Sequence, residues 1–246
     1  MNIPRIKDED ETLDTFYAGR IRVLQKKKGY RFSLDAPLLA DFIRTAPRDE
    51  LLELGAGSGI ISLLLSMKPF SRITAVELQP GLAGLARRNV RLNSLEKKIT
   101  VYETDMRSFS PGRKFDKIFS NPPYYKKGDG NISPSRERAI ARHELACDIF
   151  DVMKATAEFL KPDGRAYFIY PFRQEDYFME ALGRFHLNVG TRRNVHPRRS
   201  SEPNLFLSEC GFAAGREKRM KPLVLYQPDG EYSAEADEIF KGRKSD

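Results

Sequence analysis

The chain has 246 residues, of which 40% are hydrophobic and 31% are charged. This balance is typical of a globular protein and argues against a fibrous, collagen-like or wholly disordered chain. No stretch approaches the 18 apolar residues of a membrane span, and the first ten residues resemble no secretory signal, so we expect a cytoplasmic protein without a membrane partner. Two isolated cysteines, Cys147 and Cys210, exclude a disulfide-stapled domain and a thiolate zinc site, and no metal is predicted.

The charge is unbalanced, because 42 Lys and Arg against 34 Asp and Glu give a net charge of +8. Such a surplus favours a polyanionic partner. Each basic cluster is open to two interpretations, a solvated face or a contact with phosphate. The clusters are 26–28, 126–127, Arg136 with Arg138 and Arg142, 192–193 with 198–199, and Arg216 with Lys218, Arg219 and Lys221.

Hydrophobic patterning predicts strands that alternate with helices. Residues 1–20 show no apolar period, which predicts a loose arm or a short capping element. A first helix follows, with Ser33 or Asp35 as its N-cap and Pro47 at its end.

Seven strands are predicted after this helix, at 51–54, 73–76, 99–102, 117–120, 165–170, 204–210 and 223–226. Three further helices are predicted between them, at 60–65, 81–92 and 150–160.

Parallel pairing requires crossover connections, so this order predicts an α/β fold. We expect a doubly wound, mostly parallel seven-stranded sheet with an antiparallel last strand. The predicted division is an N-terminal arm over residues 1–30 and one domain over residues 31–246.

A glycine-rich segment, 53–59 (ELGAGSG), follows the first predicted strand of the sheet and opens a helix. Glycines there let a ligand approach the backbone, and we expect free N–H groups to await a partner. The third glycine of the dinucleotide fingerprint is replaced by Ile60, which disfavours a nicotinamide or flavin enzyme.

Two acidic residues end the next two predicted strands. Glu77 is placed to accept the two hydroxyls of a ribose, although a solvated turn carboxylate is an equal interpretation. Asp105 is placed to accept from an adenine amino group, with Met106 beside the ring. Because open α/β sheets bind ligands at the C-terminal ends of their strands, the three features together predict a nucleoside-containing cofactor.

The motif Asn121-Pro122-Pro123-Tyr124 ends the fourth predicted strand of the sheet. The two prolines fix φ and remove two backbone donors, which leaves the Asn121 side-chain oxygen and the Pro122 carbonyl as acceptors. Two acceptors suit an NH₂ group and favour the geometry in which its nitrogen lone pair faces an electrophile. Tyr124 offers a flat face for stacking.

These motifs resemble the class I S-adenosylmethionine-dependent N-methyltransferases, which methylate amino groups of adenine or of glutamine side chains. Within that class, segments 25–35, 141–144 and 225–232 resemble the bacterial tRNA1(Val) adenine-37 N6-methyltransferases. The resemblance implies methyl transfer to N6 of an adenine in RNA, with tRNA and its anticodon loop as the expected partner.

The resemblance also implies the roles of individual residues. Asn121, Pro122, Pro123 and Tyr124 would hold the target. S-adenosylmethionine would lie against Phe32, Asp35, Glu53, Gly55, Ala56, Gly57, Gly59, Glu77, Leu78, Asp105, Met106 and Asn121. RNA would contact Lys126, Lys127, Arg142, His196, Arg198 and Arg199.

Three alternatives remain at this point. A glutamine N5-methyltransferase acting on a translation protein would use the same motif, although that family carries a longer N-terminal helical domain. A catalytically silent RNA-binding module is disfavoured by intact Asn121, Glu77 and Asp105. A nicotinamide oxidoreductase is disfavoured by Ile60 and by the catalytic motif.

Overall fold

Eleven strands and six α-helices are assigned in a computed structural model that describes residues 7–27, 34–124 and 147–242. The strands are β1 (Glu11–Phe16), β2 (Ile21–Lys26), β3 (Glu50–Leu54), β4 (Arg72–Glu77), β5 (Ile99–Glu103), β6 (Phe115–Ser120), β7 (Leu160–Pro171), β8 (Asn188–His196), β9 (Leu205–Gly211), β10 (Lys218–Arg219) and β11 (Leu223–Val224). The helices are α1 (Asp35–Phe42), α2 (Ile60–Leu65), α3 (Pro80–Leu92), α4 (Ile149–Phe159), α5 (Glu175–Arg184) and α6 (Ala234–Lys241), and a 3₁₀ turn, Phe172–Gln174, precedes α5. None of these helices has the length and apolar character that crossing a bilayer requires.

The main sheet contains nine of the described strands in the order β10-β8-β9-β7-β6-β3-β4-β5, and β11 pairs with β8 beyond this path. β9 runs antiparallel to β7 and to β8, and the other pairs are parallel. The doubly wound, mostly parallel α/β sheet is therefore confirmed. It has nine described strands rather than the seven expected, and its antiparallel strand is β9, whereas the later β10 and β11 are parallel to β8. The chain proceeds from β3 outward to β5 and then returns to β6 on the other side of β3, which makes the β3–β6 boundary the topological switch point.

Side chains along the strands alternate between two apolar cores. Leu51 and Ile169 belong to the core formed with α1, α2 and the β1–β2 hairpin, whereas Leu52 and Phe168 belong to the core formed with α4 and α5. This period of two is the reason that continuous apolar strands can be buried on both faces.

The beginning of the chain forms a short ordered element, the second of its two expected forms, rather than a loose arm. β1 and β2 form an antiparallel hairpin, and Ile21 and Val23 are buried in the same core as α1. Two polar residues that obscured the pattern, Glu11 and Gln25, are themselves buried, and Glu11 forms ion pairs with Arg88 and Lys26. The division of the chain at residue 30 stays a prediction.

Helix α1 also differs from its predicted limits. It ends at Phe42 rather than at Pro47, and its N-cap is Leu34, without a side-chain capping bond. Asp35 is therefore the first residue of the helix and not its cap. Its carboxylate points instead to the catalytic motif, as described below.

The sequence did not predict α5, β8 or α6, and β8 was obscured by Arg192 and Arg193. Both arginines are buried. Arg192 forms an ion pair with Glu175 and stacks over the Phe206 ring at 4.5 Å, and Arg193 donates to Glu235 at 2.7 Å. Arg192 and Arg193 are thus neither a solvated face nor a phosphate contact, because their charges are compensated inside the protein.

The free edge of β2 is bonded by two asparagine side chains from α3. Asn89 accepts from the Leu24 N–H (2.7 Å) and donates to the Leu24 and Ser58 carbonyls (3.1 and 2.9 Å). One helical turn later, Asn93 accepts from the Arg22 N–H and donates to the Arg22 carbonyl in the same way. The hairpin is thereby attached to α3 and, through Ser58, to the glycine-rich loop.

Asn89→Ala tests this attachment, with Asn93→Ala as the matched control. Loss of Asn89 leaves buried backbone groups without partners, each costing about 1–3 kcal/mol, so we expect the free energy of unfolding to fall by about 2–4 kcal/mol. Asn93 bonds the exposed Arg22, where water replaces the lost partner, so its substitution should cost less than about 1 kcal/mol. Urea denaturation measures both, and equal losses would contradict the assignment.

Candidate active site

The candidate site lies at the switch point, where the loop after β3 meets the motif after β6. In the β3–β6 ladder Glu53 pairs with Phe119, so Gly55 and Asn121 each lie two residues beyond the last pair on neighbouring strands. Adjacent strands are about 4.8 Å apart. The sheet therefore brings the glycine-rich loop and the catalytic motif together.

The glycine-rich loop turns through left-handed backbone conformations. Gly55 and Gly59 have φ values of +73° and +80°, which strain any residue with a Cβ. A Cβ on Gly55 would meet only the Met106 Cε, at 4.0 Å, so the space beside Gly55 is open. The loop thus offers a ligand a smooth backbone surface next to Met106.

The backbone donors of this loop are used within the protein, which corrects the expectation of free N–H groups. Gly55 and Ala56 both donate to the Val76 carbonyl (2.9 and 3.0 Å), and Gly59 donates to the Ala56 carbonyl (2.8 Å). These bonds fix the loop against β4. A ligand would consequently be held by side chains and by shape more than by these amides.

Two buried carboxyl groups flank the loop. Glu53 is 1% exposed, and its Oε2 accepts from the Ser62 hydroxyl, whereas its Oε1 has no partner among the described residues. Burial raises the pKa of Glu53 to about 8. The Ser58 hydroxyl is likewise buried and unpartnered within the described part of the chain. Such unsatisfied polar atoms cost free energy, and a water molecule or a ligand group with a hydrogen-bonding partner would satisfy them.

Glu77 ends β4, as predicted, and is buried rather than solvated. Its two oxygens accept from the Gly57 N–H (2.7 Å) and the Gln79 N–H (2.9 Å), which hold the carboxylate in one orientation. Burial raises its pKa. The Leu78 backbone N–H also bonds this carboxylate, and a carboxylate with three N–H donors keeps a lone pair for a hydroxyl donor. The adjacent Leu78 is an exposed large apolar side chain, at 36%, beside this acid.

Asp105 ends the turn after β5, and its carboxylate is already paired. The Arg107 Nε donates to Oδ1 at 2.9 Å, a second guanidinium nitrogen donates to Oδ2 at 2.5 Å, and the Arg107 backbone N–H also donates to Oδ1. The Arg107 guanidinium lowers the pKa of this carboxyl. An adenine amino group would therefore have to share Asp105 with Arg107, and that role stays a prediction.

The catalytic motif is fixed by a hydrogen bond that crosses to α1. The Tyr124 hydroxyl lies 2.7 Å from both the Asp35 Oδ2 and the Asn121 Oδ1. One hydroxyl carries a single proton, so it donates to one acceptor at a time. When the proton points to Asp35, the Asn121 oxygen is available to another donor. Asp35 thus joins the site through Tyr124 rather than as a helix cap.

Two further residues of the site were not found from the sequence. The Gln174 side chain donates to the Tyr124 carbonyl at 3.0 Å and accepts from the Tyr170 hydroxyl at 3.2 Å, and the Tyr170 ring packs edge-on against Tyr124 at 5.6 Å. No local pattern marks Gln174, because its role arises only when the end of β7 is placed beside β6. Gln174 and Tyr170 together fix the backbone of the catalytic motif at Tyr124.

The predicted RNA contacts fall into two groups. His196, Arg198 and Arg199 lie at and just beyond the end of β8, on the same sheet edge as Asn121, since β9 runs antiparallel to both β7 and β8. The His196 Nδ1–H donates to the Ser201 carbonyl at 2.7 Å, and both arginines are exposed. Outside the described residues lie three predicted RNA contacts, Lys126, Lys127 and Arg142, and the predicted cofactor contact Phe32. The roles of these residues stay predictions.

Comparison with known proteins identifies the family. Residues 31–175 match the methyltransferase small domain family. A tRNA1(Val) (adenine(37)-N6)-methyltransferase of Shewanella amazonensis is 32% identical over 84% of this chain and 82% of its own length. One of Flavobacteriaceae bacterium strain 3519-10 is 29% identical over 83% and 92%, respectively.

A solved structure agrees on the fold. A predicted O-methyltransferase from Agrobacterium tumefaciens superimposes with a TM-score of 0.66 at 18% identity, over 86% of this chain and 97% of its own. The chain belongs to the methyltransferase small domain family and groups with relatives named tRNA1(Val) (adenine(37)-N6)-methyltransferase. The methyl donor of such an enzyme is S-adenosylmethionine.

The residues at the switch point fit that donor. It carries a cationic sulfonium and an ammonium group, and the site contains two buried acids, one with an unpartnered oxygen, beside an open glycine surface. A cation in this crevice would relieve the cost of ionising Glu53.

Glu53→Gln tests the cost of that buried charge in the ligand-free protein. The pKa is raised from 4.5 to about 8 on folding, so between these values the native state holds a proton that the unfolded state has lost. The free energy of unfolding therefore falls as the pH rises through this window. Urea denaturation at about pH 5 and about pH 8 measures this fall. Between the two pH values, the free energy of unfolding should fall less in Glu53→Gln than in the wild type. Glu50→Gln, at the partly exposed start of β3, is the control, and the same pH dependence in all three proteins would argue against a buried, protonated Glu53.

Gln174→Ala tests the fixation of the motif. Loss of the bond to the Tyr124 carbonyl should lower kcat by about tenfold through misplacement of the motif, while S-adenosylmethionine affinity stays unchanged. Tyr170→Phe keeps the ring packing and removes only the bond to Gln174, so its effect on kcat should be smaller. Calorimetry and steady-state methylation rates separate the two effects, and an unchanged kcat in Gln174→Ala would contradict the role.

Proposed function

We propose that this protein transfers a methyl group from S-adenosylmethionine to the N6 amino group of an adenine in the anticodon loop of a tRNA, with Asn121-Pro122-Pro123-Tyr124 as its target-binding motif. The observation that carries the proposal is the position of the Asn121 side-chain oxygen, 2.7 Å from the Tyr124 hydroxyl at the strand end beside the glycine-rich loop. The curated relatives are named for an adenine at position 37 of tRNA1(Val).

The cofactor would be held by the crevice on the β3 side of the switch point. When bound, S-adenosylmethionine supplies a methyl group activated by a sulfonium, which an amine attacks directly. Glu53 and Gly55 would lie against its methionine part, Glu77 would accept from its ribose, and Met106 would pack beside its adenine. Leu78 would cover the same ring from its exposed position.

Asn121 and Pro122 act on the acceptor amine. An exocyclic amine conjugated with its ring is a weak nucleophile, and donation of its two protons to the Asn121 Oδ1 and the Pro122 carbonyl favours a geometry with the lone pair out of conjugation. Asn121 and Pro122 would thereby hold the amine with its lone pair toward the methyl group that bound S-adenosylmethionine would supply. Positioning supplies most of the acceleration in such a reaction.

The anticodon loop suits this site physically. A target base must leave its stack to reach a pocket at a strand end, which costs a few kcal/mol and least in a loop. Arg198 and Arg199 are exposed at the same sheet edge and are placed to contact the flanking phosphates. A net charge of +8 favours the approach of RNA.

Incubation with tritiated S-adenosylmethionine and separate pools of total tRNA, rRNA and protein tests the substrate class. We expect label in the tRNA pool and, after nucleoside analysis, in N6-methyladenosine. Label in glutamine of the protein pool would establish the alternative methyltransferase instead. Binding of tRNA without label in any pool would establish a silent RNA-binding module.

Asn121→Ala tests the motif. Removal of a preorganised hydrogen-bond partner should reduce turnover about 10²-fold or more, while the affinity for S-adenosylmethionine stays nearly intact. Turnover is measured with saturating tRNA, and calorimetry reports cofactor binding. Turnover equal to that of the wild type would refute the assigned role.

A further inference from the structure

A second concave surface lies away from the switch point, at the C-terminal end of α1. It is a groove of about 440 Å³ lined by Phe42, Arg44, Thr191, Glu209 and Lys218–Lys221. Phe42 and Met220 provide an apolar floor, and the remaining lining is polar or charged. We name it the basic groove.

The acidic side chains near the basic groove are already engaged. Glu209 forms an ion pair with the Arg165 Nε at 3.7 Å, and Glu217 accepts from the Arg219 Nε at 2.9 Å. Each of these carboxylates is thus neutralised by its own cation. The groove therefore presents an excess of positive charge.

Three of the lining cations have no such compensation. Arg44, Lys218 and Lys221 are exposed and form no ion pair with any residue in the described ranges. Arg192 and Arg193, in the adjacent strand, are instead buried and paired. Uncompensated like charges around a concavity repel one another, and an anion in the groove would relieve this repulsion.

The basic groove lies at a fixed distance from the catalytic motif. Asp35, which contacts Tyr124, begins α1, and Phe42, which lines the groove, ends it. Eight helical residues span about 12 Å. Thr191 lies in β8, which is separated from β6 by three inter-strand spacings, or about 14 Å across the sheet. These distances equal a few base pairs of a nucleic acid duplex.

We infer that the basic groove binds the phosphate backbone of the substrate RNA at a point remote from the target adenine. The inference rests on the proposed function. Cations on a concave surface contact phosphates without reading sequence, and such contacts fix the orientation of the nucleic acid. The groove would thereby hold the stem of the RNA while the motif at the far end of α1 receives the flipped base.

The full-length triple variant Arg44→Gln, Lys218→Gln, Lys221→Gln tests this inference against a matched control. The control, Arg72→Gln, Lys97→Gln, Lys114→Gln, removes the same charge from exposed side chains at the N-terminal edge of the sheet. Binding of a tRNA transcript is measured at several salt concentrations. We expect the groove variant to lower the slope of log K against log salt by about three, about one for each lost phosphate contact.

The groove variant should also weaken tRNA binding by tenfold or more at low salt, and leave both S-adenosylmethionine affinity and kcat at saturating tRNA unchanged. If the wild type methylates tRNA but the groove variant has the same salt slope and the same tRNA affinity as the control variant, the inference that the basic groove binds RNA is overturned. The proposed function is then left intact. A wild-type protein that neither binds nor methylates tRNA would overturn both. Should the triple variant fail to fold, Lys218→Gln and Lys221→Gln alone should each lower the slope by about one, and unchanged slopes would refute the inference.

Discussion

Parallel pairing of β3 with β6 is the constraint on which the site depends. Their ladder ends at Glu53 and Phe119, and just beyond it the Ser120 hydroxyl donates to the Leu54 carbonyl at 2.7 Å. This buried side-chain bond joins the two strands at the point where backbone pairing stops. The loop that follows one strand and the motif that follows the other are thereby held side by side, although 66 residues of chain separate Leu54 from Ser120. Substitutions that leave both loops intact but shift this register would separate donor and acceptor.

The electrostatics beside the glycine-rich loop favour the binding of a cation. Glu53 and Glu77 are both buried, burial raises both pKa values, and the charge of Glu77 further raises that of Glu53. Two neighbouring acids under one loop lower the stability of the folded chain near neutral pH, because one must hold a proton or bear a desolvated charge. A cationic cofactor beside these acids would reverse this cost, and part of the free energy spent on burying them would be recovered on binding.

The parts that could be predicted from the sequence are those in which the determining signal is local. The apolar runs of β3, β4, β6 and β7 predict the sheet, which the structure confirms. The residues that follow these strands lead to the predicted cofactor and target residues, whose roles stay predictions. Strand β8 was missed because its pattern includes Arg192, whose burial depends on Glu175 and Phe206 in other elements. Gln174 was missed for the same reason, since its bond to the Tyr124 carbonyl joins residues 50 positions apart. Compensation between distant residues leaves no periodic trace in a single sequence.

Helix α1 couples these features because it is held at both ends. At its start, Asp35 accepts from Tyr124. At its end, the Lys68 ammonium donates to the carbonyls of Ala40 and Asp41 in the last turn and of Ile43 at the C-cap, at 2.7–2.8 Å. A cation on the terminal carbonyls satisfies groups that a helix end leaves unbonded and opposes its dipole. A helix fixed in this way cannot slide, so the catalytic motif and the basic groove keep a constant separation. Backbone contacts in the groove would then fix where the target base arrives, which is the positioning that direct methyl transfer requires.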